Sequence, residues 1–180
     1  MKTVLLGWPL KESYFTKEDV APMGRARRIF LFAAGVNRVE KALRKFPRKM
    51  WTFTTTPKNW TITQILWHLA DQEANLYVRL RIAAAEPGNP VTSYDQNKWD
   101  KNLLYRKSDP EQAKALLLLL RKANADLVKR LGPSVWNKMV THPEYGKRPF
   151  SHFVGMNIWH LDHHLAQMGR RYAEWKGKGR

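Results

Sequence analysis

Trp159-His160-Leu161-Asp162-His163-His164-Leu165-Ala166-Gln167-Met168 sets two histidines four residues apart inside an apolar pattern. On a helix stepping about 100° per residue, with His160 at zero, Phe153, Met168, Leu161, Val154, Leu165 and Ile158 cover an arc from about 20° to 160°. His164 falls inside that arc at about 40°, His160 marks its edge, and His163, at about 300°, faces elsewhere. Side chains four apart lie one turn from each other on one face. His160 and His164 can therefore offer ring nitrogens to a single ion. The helix that carries them is read from about Pro149 to Trp175.

Moving outward, an earlier segment from about Ile62 to Ala85 repeats the design. Thr61 and Gln64 form a capping-box pattern, and Ile62, Ile65, Leu66, Leu69, Leu76 and Leu80 make its buried face. His68 stands at the edge of that face. A lone histidine there is ordinarily a hydrogen-bonded core residue, and His68 gains weight only beside the other pair. His163 reads as a surface residue or a partner to a ligand ring; His142 and His152 read as ordinary polar positions. Gln167 and Asp71 each lie one turn from a candidate ligand, where they either orient an imidazole or simply face water.

Two more helices complete the pattern. One runs from about Met23 to Lys45, with Ile29, Phe30, Ala33, Val36, Val39, Ala42 and Leu43 as its apolar stripe and Arg38, Lys41 and Arg44 toward water. The other begins at Asp109-Pro110, an N-cap followed by proline at the first helical position. It carries the Leu116 to Leu120 run, and Leu127, Val128 and Leu131 continue its buried side. Between the helices lie long connections, Glu86 to Lys107 with Tyr94, Trp99 and Tyr105, and Pro133 to Arg148 with Trp136 and Tyr145. No alternating strand pattern stands out. The expected fold is all-α, an antiparallel four-helix bundle with long aromatic-rich connecting loops, formed by residues 23–180 after an N-terminal extension, 1–22.

Composition narrows the chemistry. The chain of 180 residues has no cysteine, which excludes a disulfide framework, a thiolate nucleophile of its own and a cysteine-based zinc site. No apolar run reaches the length of a membrane span, and no h-region opens the chain, so the expected location is cytoplasmic and away from membranes. The net charge of +17 attracts polyanions without any designed site. No zinc-finger, RNA-recognition or helix-turn-helix signature accompanies it, so nucleic-acid contact rests on charge alone. A homodimer is compatible with such a bundle.

The segments Trp60 to Asp71 and Trp159 to Met168, the latter with its His-x-x-x-His-x-x-Gln spacing, resemble the YfiT-type members of the DinB-like superfamily. Tyr94-Asp95, Trp99, Leu104-Tyr105 and His142-Pro143-Glu144-Tyr145-Gly146 resemble family segments in the same order. The resemblance implies a four-helix bundle with a three-histidine site, His68, His160 and His164, for nickel, zinc or a similar divalent ion. It implies a metal-dependent enzyme acting on a small molecule, with transfer to or from a low-molecular-weight thiol as the leading reaction. Metal-dependent hydrolysis and a non-enzymatic basic binding module are the alternatives.

Overall fold

The helix boundaries fall where the caps put them. In the computed structural model, which describes residues 14–178, the elements are α1 Lys17–Val20, α2 Arg25–Lys45, α3 Ile62–Ala85, α4 Gln96–Asn102, α5 Pro110–Arg130 and α6 Phe150–Gly177, with a hairpin of β1 Met139–His142 and β2 Gly146–Pro149. Thr61 and Gln64 close a reciprocal capping box at the start of α3, and Asp109 caps α5 with Pro110 at its first position. The long helices α2, α3, α5 and α6 form the expected four-helix bundle. Among the described residues no helix is long and apolar enough to cross a membrane.

Contacts along the helices fix their directions. Arg28 reaches Ser151, Gly35 lies against Leu161, and Phe46 packs on Tyr172, so α2 and α6 run the same way. Ile62 to Ala70 share a core cluster with Ala113 and Leu117, while Leu76 to Ala83 share another with Ala125 and Val128, so α3 and α5 also run together. Gln72 bonds Asn157 and His68 meets His160, so α3 opposes α6. Two helices point each way, and each has one parallel and one antiparallel neighbour.

That arrangement explains the long connection between α3 and α5. Parallel neighbours joined in sequence require the chain to travel back the length of the bundle, and residues 86–109 do this along α3. The Thr92 carbonyl accepts from Arg79, the Tyr94 hydroxyl donates to Gln72, Gln64 donates to Asp100, and the Tyr105 hydroxyl donates to Asp71. Each aromatic of this connection therefore has a place against α3 or α4.

Four details depart from the sequence reading. In α2 the inward residues are Leu31, Phe32, Gly35, Val39, Ala42 and Leu43, while Phe30 is 63% exposed. Arg38, expected toward water, instead pairs with buried Asp162. In α5 the run of five leucines buries Leu117 alone, because consecutive residues point all round a helix; Leu127 and Leu131 are partly buried, and Arg121 and Asn124 take core positions. The loop expected to reach Arg148 contains the hairpin β1–β2, paired from Met139↔Pro149 to His142↔Gly146. Its alternation is four residues long, with Val140 and His142 inward, too short to stand out. Gly146, at φ +68°, supplies the left-handed turn residue that a side chain would resist.

Of residues 1–22, read as an extension, 14–22 pack on the bundle. Tyr14 and Val20 are buried, Thr16 and Asp19 box-cap α1, and the Phe15 amide donates to Asp162 Oδ2 at 2.8 Å. Residues 1–13 lie outside the described residues.

Candidate metal centre

α3 and α6 cross where both present histidine. His68 and His164 are buried, His160 is half-buried at the rim, and His163 is exposed. His160 Nε2 lies 3.2 Å from His68 Nε2 and 3.2 Å from His164 Nε2. All three rings offer a nitrogen within 4.8 Å of the others. The sequence pattern thus put the same three side chains together that the folded chain brings into contact.

Proton arithmetic argues that this triangle suits a cation. His164 Nδ1–H donates to Gln167 Oε1 at 2.8 Å, since an amide oxygen only accepts, and its Nε2 is left a bare lone pair. If His160 Nε2 carries a hydrogen it can satisfy one neighbour and not both; if it is bare, it faces the His164 lone pair directly. At most one of the two contacts is a satisfied hydrogen bond in either case. An ion binding imidazoles at about 2.0–2.1 Å in tetrahedral array separates their nitrogens by about 3.3 Å, close to the observed spacing. Burial pushes the His68 imidazole down to about 4 and those of His160 and His164 well below the ordinary histidine range, with the neighbouring rings adding to the effect. All three are therefore neutral near pH 7, the state in which an imidazole ligates.

The surroundings close one side and open the other. Trp60 stacks near-parallel to His164 at 6.3 Å and tilts against His68 at 5.1 Å. Opposite, a cleft of about 1000 Å³ opens onto the rings. Tyr94 lines it with its ring 6.5 Å from His68, and its hydroxyl donates to Gln72 Oε1 at 3.2 Å. Burial and the Asp71 carboxylate hold that phenol well above its usual range, so it stays protonated.

Gln167 orients a ring, as its spacing suggested. Asp71 does not: its carboxylate accepts from Tyr105, which reaches it on the returning connection. His142 and His152, read as ordinary polar positions, both line the cleft, and so does every other histidine of the chain. The signal for His142 was the turn Pro143 to Gly146, which folds β2 back and carries the ring inward.

A four-helix bundle with three converging imidazoles at the foot of an open cleft defines a class: helical scaffolds with an accessible candidate site for a cation. The family model of the DinB superfamily matches residues 31–168, and the chain belongs to that superfamily. A protein of Oceanobacillus iheyensis that carries the provisional name of metal-dependent hydrolase is 34% identical over 110 residues, 61% of this chain and 63% of that relative. The chain thus spans less than two thirds of that relative's length. YfiT of Bacillus subtilis, provisionally named likewise, is 23% identical over 169 residues, 93% of this chain and 94% of YfiT. The solved structure of YfiT superposes with a TM-score of 0.76 at 20% identity, covering 95% of each chain, and is described as an unusual four-helix-bundle topology. A mycothiol-dependent maleylpyruvate isomerase shares the fold at TM-score 0.61 and 13% identity, over 81% of this chain and 59% of the isomerase.

Proposed function

We propose that His68, His160 and His164 hold one divalent ion, nickel or zinc, and that the protein is a metal-dependent enzyme that transfers a small molecule to or from a low-molecular-weight thiol. The observation that carries this reading is the approach of His160 Nε2 to the Nε2 atoms of both His68 and His164, with a nitrogen of each ring within 4.8 Å of the others, at the foot of an open cleft. Three imidazoles leave coordination positions for a reactant, as catalytic sites require and closed structural sites do not. An ion held there would supply Lewis acidity, lowering the pKa of a bound thiol or water.

The chain's own part is positional. Gln167 sets the tautomer of His164, Trp60 shields the rings from one side, and Tyr94 presents a protonated phenol beside His68. With no cysteine in the chain, the sulfur of a transfer reaction arrives with the reactant. The shared fold of the mycothiol-dependent isomerase supports the thiol reading. Hydrolysis is the second reading, favoured by the provisional names of the sequence relatives.

Elemental analysis of protein purified without a polyhistidine tag tests the site first. The expected result is about one ion per chain, with affinity lost by 10-fold or more in His160→Ala, as removing one of three ligands implies. Turnover of an electrophile with cysteine as the thiol probe, abolished by chelation and restored by the metal, supports transfer. Metal-dependent ester cleavage without thiol supports hydrolysis. A chelated protein that melts lower but never turns over leaves a structural ion, and protein that retains no metal overturns the site.

A further inference from the structure

We propose that the end of the cleft remote from the three imidazoles is an anion-binding subsite, built by Arg79, His142, Arg148 and His152, and that the substrate is an elongated small molecule bearing a carboxylate or phosphate there. The inference rests on the metal-centre reading for the reacting end of that molecule and on independent residues for the anionic end.

His142 supplies the leading observation. It is 2% exposed, and the Glu144 amide N–H donates to its Nδ1 at 3.2 Å. The ring hydrogen of the neutral imidazole is therefore on Nε2. That nitrogen is buried and has no partner among the described residues, as is true of His152 Nε2. A buried donor without an acceptor is costly, and the ring that carries this one belongs to a residue lining the cleft. The ring is held from behind by stacking on Tyr145 at 4.4 Å and 16°.

Cations gather around it. Arg79 is 4% exposed, and its guanidinium is fixed by Nε and Nη2, both donating to the Thr92 carbonyl at 3.0 and 2.6 Å. Arg79 and Arg148 both act electrostatically on His142, and Arg148, Arg28 and Lys17 act on His152. In all, four cationic side chains line the cleft, Lys17, Arg28, Arg79 and Arg148, against two carboxylates, Asp95 and Glu144. A wall with an unpartnered N–H donor and an excess of guanidinium charge recognises an acceptor with negative charge.

Helix geometry gives the length of the ligand. His152 precedes His160 by eight residues on α6, about 12 Å of rise, and Arg79 follows His68 by eleven residues on α3, about 16 Å. A molecule anchored at this wall and reacting at the imidazoles spans roughly that interval. Its reactive and recognition groups lie at opposite ends.

Ring-nitrogen NMR of metal-free protein tests the proposal, with inorganic phosphate and succinate titrated separately at constant ionic strength. The expected result is saturable shifts of the His142 and His152 signals with at least one probe, and the tighter probe assigns the anion. Arg148→Gln is expected to weaken binding about tenfold, as loss of one charge-assisted contact implies. His142→Phe, which keeps the stack on Tyr145, should weaken the shift read at His152, whereas His160→Ala should leave it unchanged. Shifts linear in concentration for both probes, shifts centred on His68, His160 and His164, or affinity indifferent to both Arg148→Gln and His142→Phe would overturn the subsite. Because no metal is present, failure of the metal analysis and failure of this titration are separate results.

Discussion

At the scale of single residues, His68 couples the candidate site to stability. Its imidazole titrates near 4 in the folded protein because burial penalises the charged ring, with the charge of His163 adding to this. In the unfolded chain it titrates near 6.5. Between those values the unfolded state binds more protons than the folded one, so stability rises with pH through that window and is lost as pH falls from about 6.5 toward 4. The shift corresponds to about 3 kcal/mol for this ring alone. His160 and His164 shift in the same direction. Urea unfolding of metal-free protein at stepped pH should show the decline, and His68→Gln should make it shallower without abolishing it, since His160 and His164 remain; a pH-independent midpoint across the window would rule out the coupling. The pair His160 and His164 was legible in the sequence because a four-residue spacing and an apolar arc are both local properties, whereas His68, alone at the edge of its own arc, joined them through the family resemblance. Gln167 was legible for the same reason. Asp71 misled because its partner, Tyr105, comes from a distant segment, and His142 because only a hairpin turns it inward.

Elements show what close packing demands of a particular glycine. Gly35 of α2 sits where a β-carbon would meet Arg121 Nε, Arg121 Nη2 and Leu161 Cδ2, each at 2.9 Å. Alanine improves helix propensity by about 1 kcal/mol, but overpacking a core costs about 1–3 kcal/mol. Arg121 has little room to yield, since its Nε donates to the Phe32 carbonyl and its Nη1 to Glu73. Gly35→Ala is expected to lower stability by up to about 2 kcal/mol on that balance. Thermal melting would decide it, and a raised midpoint would mean that the α2–α5 contact is looser than described. This glycine does not stand out in the sequence; of the inner face of α2 the sequence shows Val39, Ala42 and Leu43 but not Leu31 and Phe32, and it wrongly includes Phe30. Ile29 to Val36 place apolar side chains on several sides of the helix, and only the partners α5 and α6 select among them. Caps such as Thr61 with Gln64 and Asp109 with Pro110 were readable because they are satisfied within a few residues of themselves.

Taken as a whole, the bundle has at its centre a buried charge that touches all four long helices. Arg121 of α5 stacks on Phe32 of α2 at 3.9 Å, donates to Glu73 of α3 at 2.6 Å and reaches the Asn157 carbonyl of α6 at 3.2 Å. Asn124 adds a 2.8 Å bond to Glu73 Oε2. A sequence reading assigns arginine to water, because what makes this one buried is the convergence of three other helices, and no single segment records it. The same is true of the direction of α5, which the returning connection sets. Breaking a buried pair by neutralising one member leaves the other charge uncompensated and costs about 3–5 kcal/mol. Glu73→Gln is therefore expected to lower the melting temperature by roughly 10 °C for a chain of this size. Replacing both members, Glu73→Leu with Arg121→Met, should recover most of the loss, since an apolar pair has no charge to desolvate. The effect also extends to the site. Asn157 accepts from Gln72 at 3.2 Å, Gln72 accepts from Tyr94 at 3.2 Å, and Tyr94 lies beside His68. Glu73→Gln should thus weaken metal retention as well as stability, whereas a variant that loses stability at the far end of the bundle should not. Comparing metal affinity well below each variant's melting point separates the two. Equal affinity in Glu73→Gln and the parent would show that the charge at the centre holds the helices without holding the imidazoles.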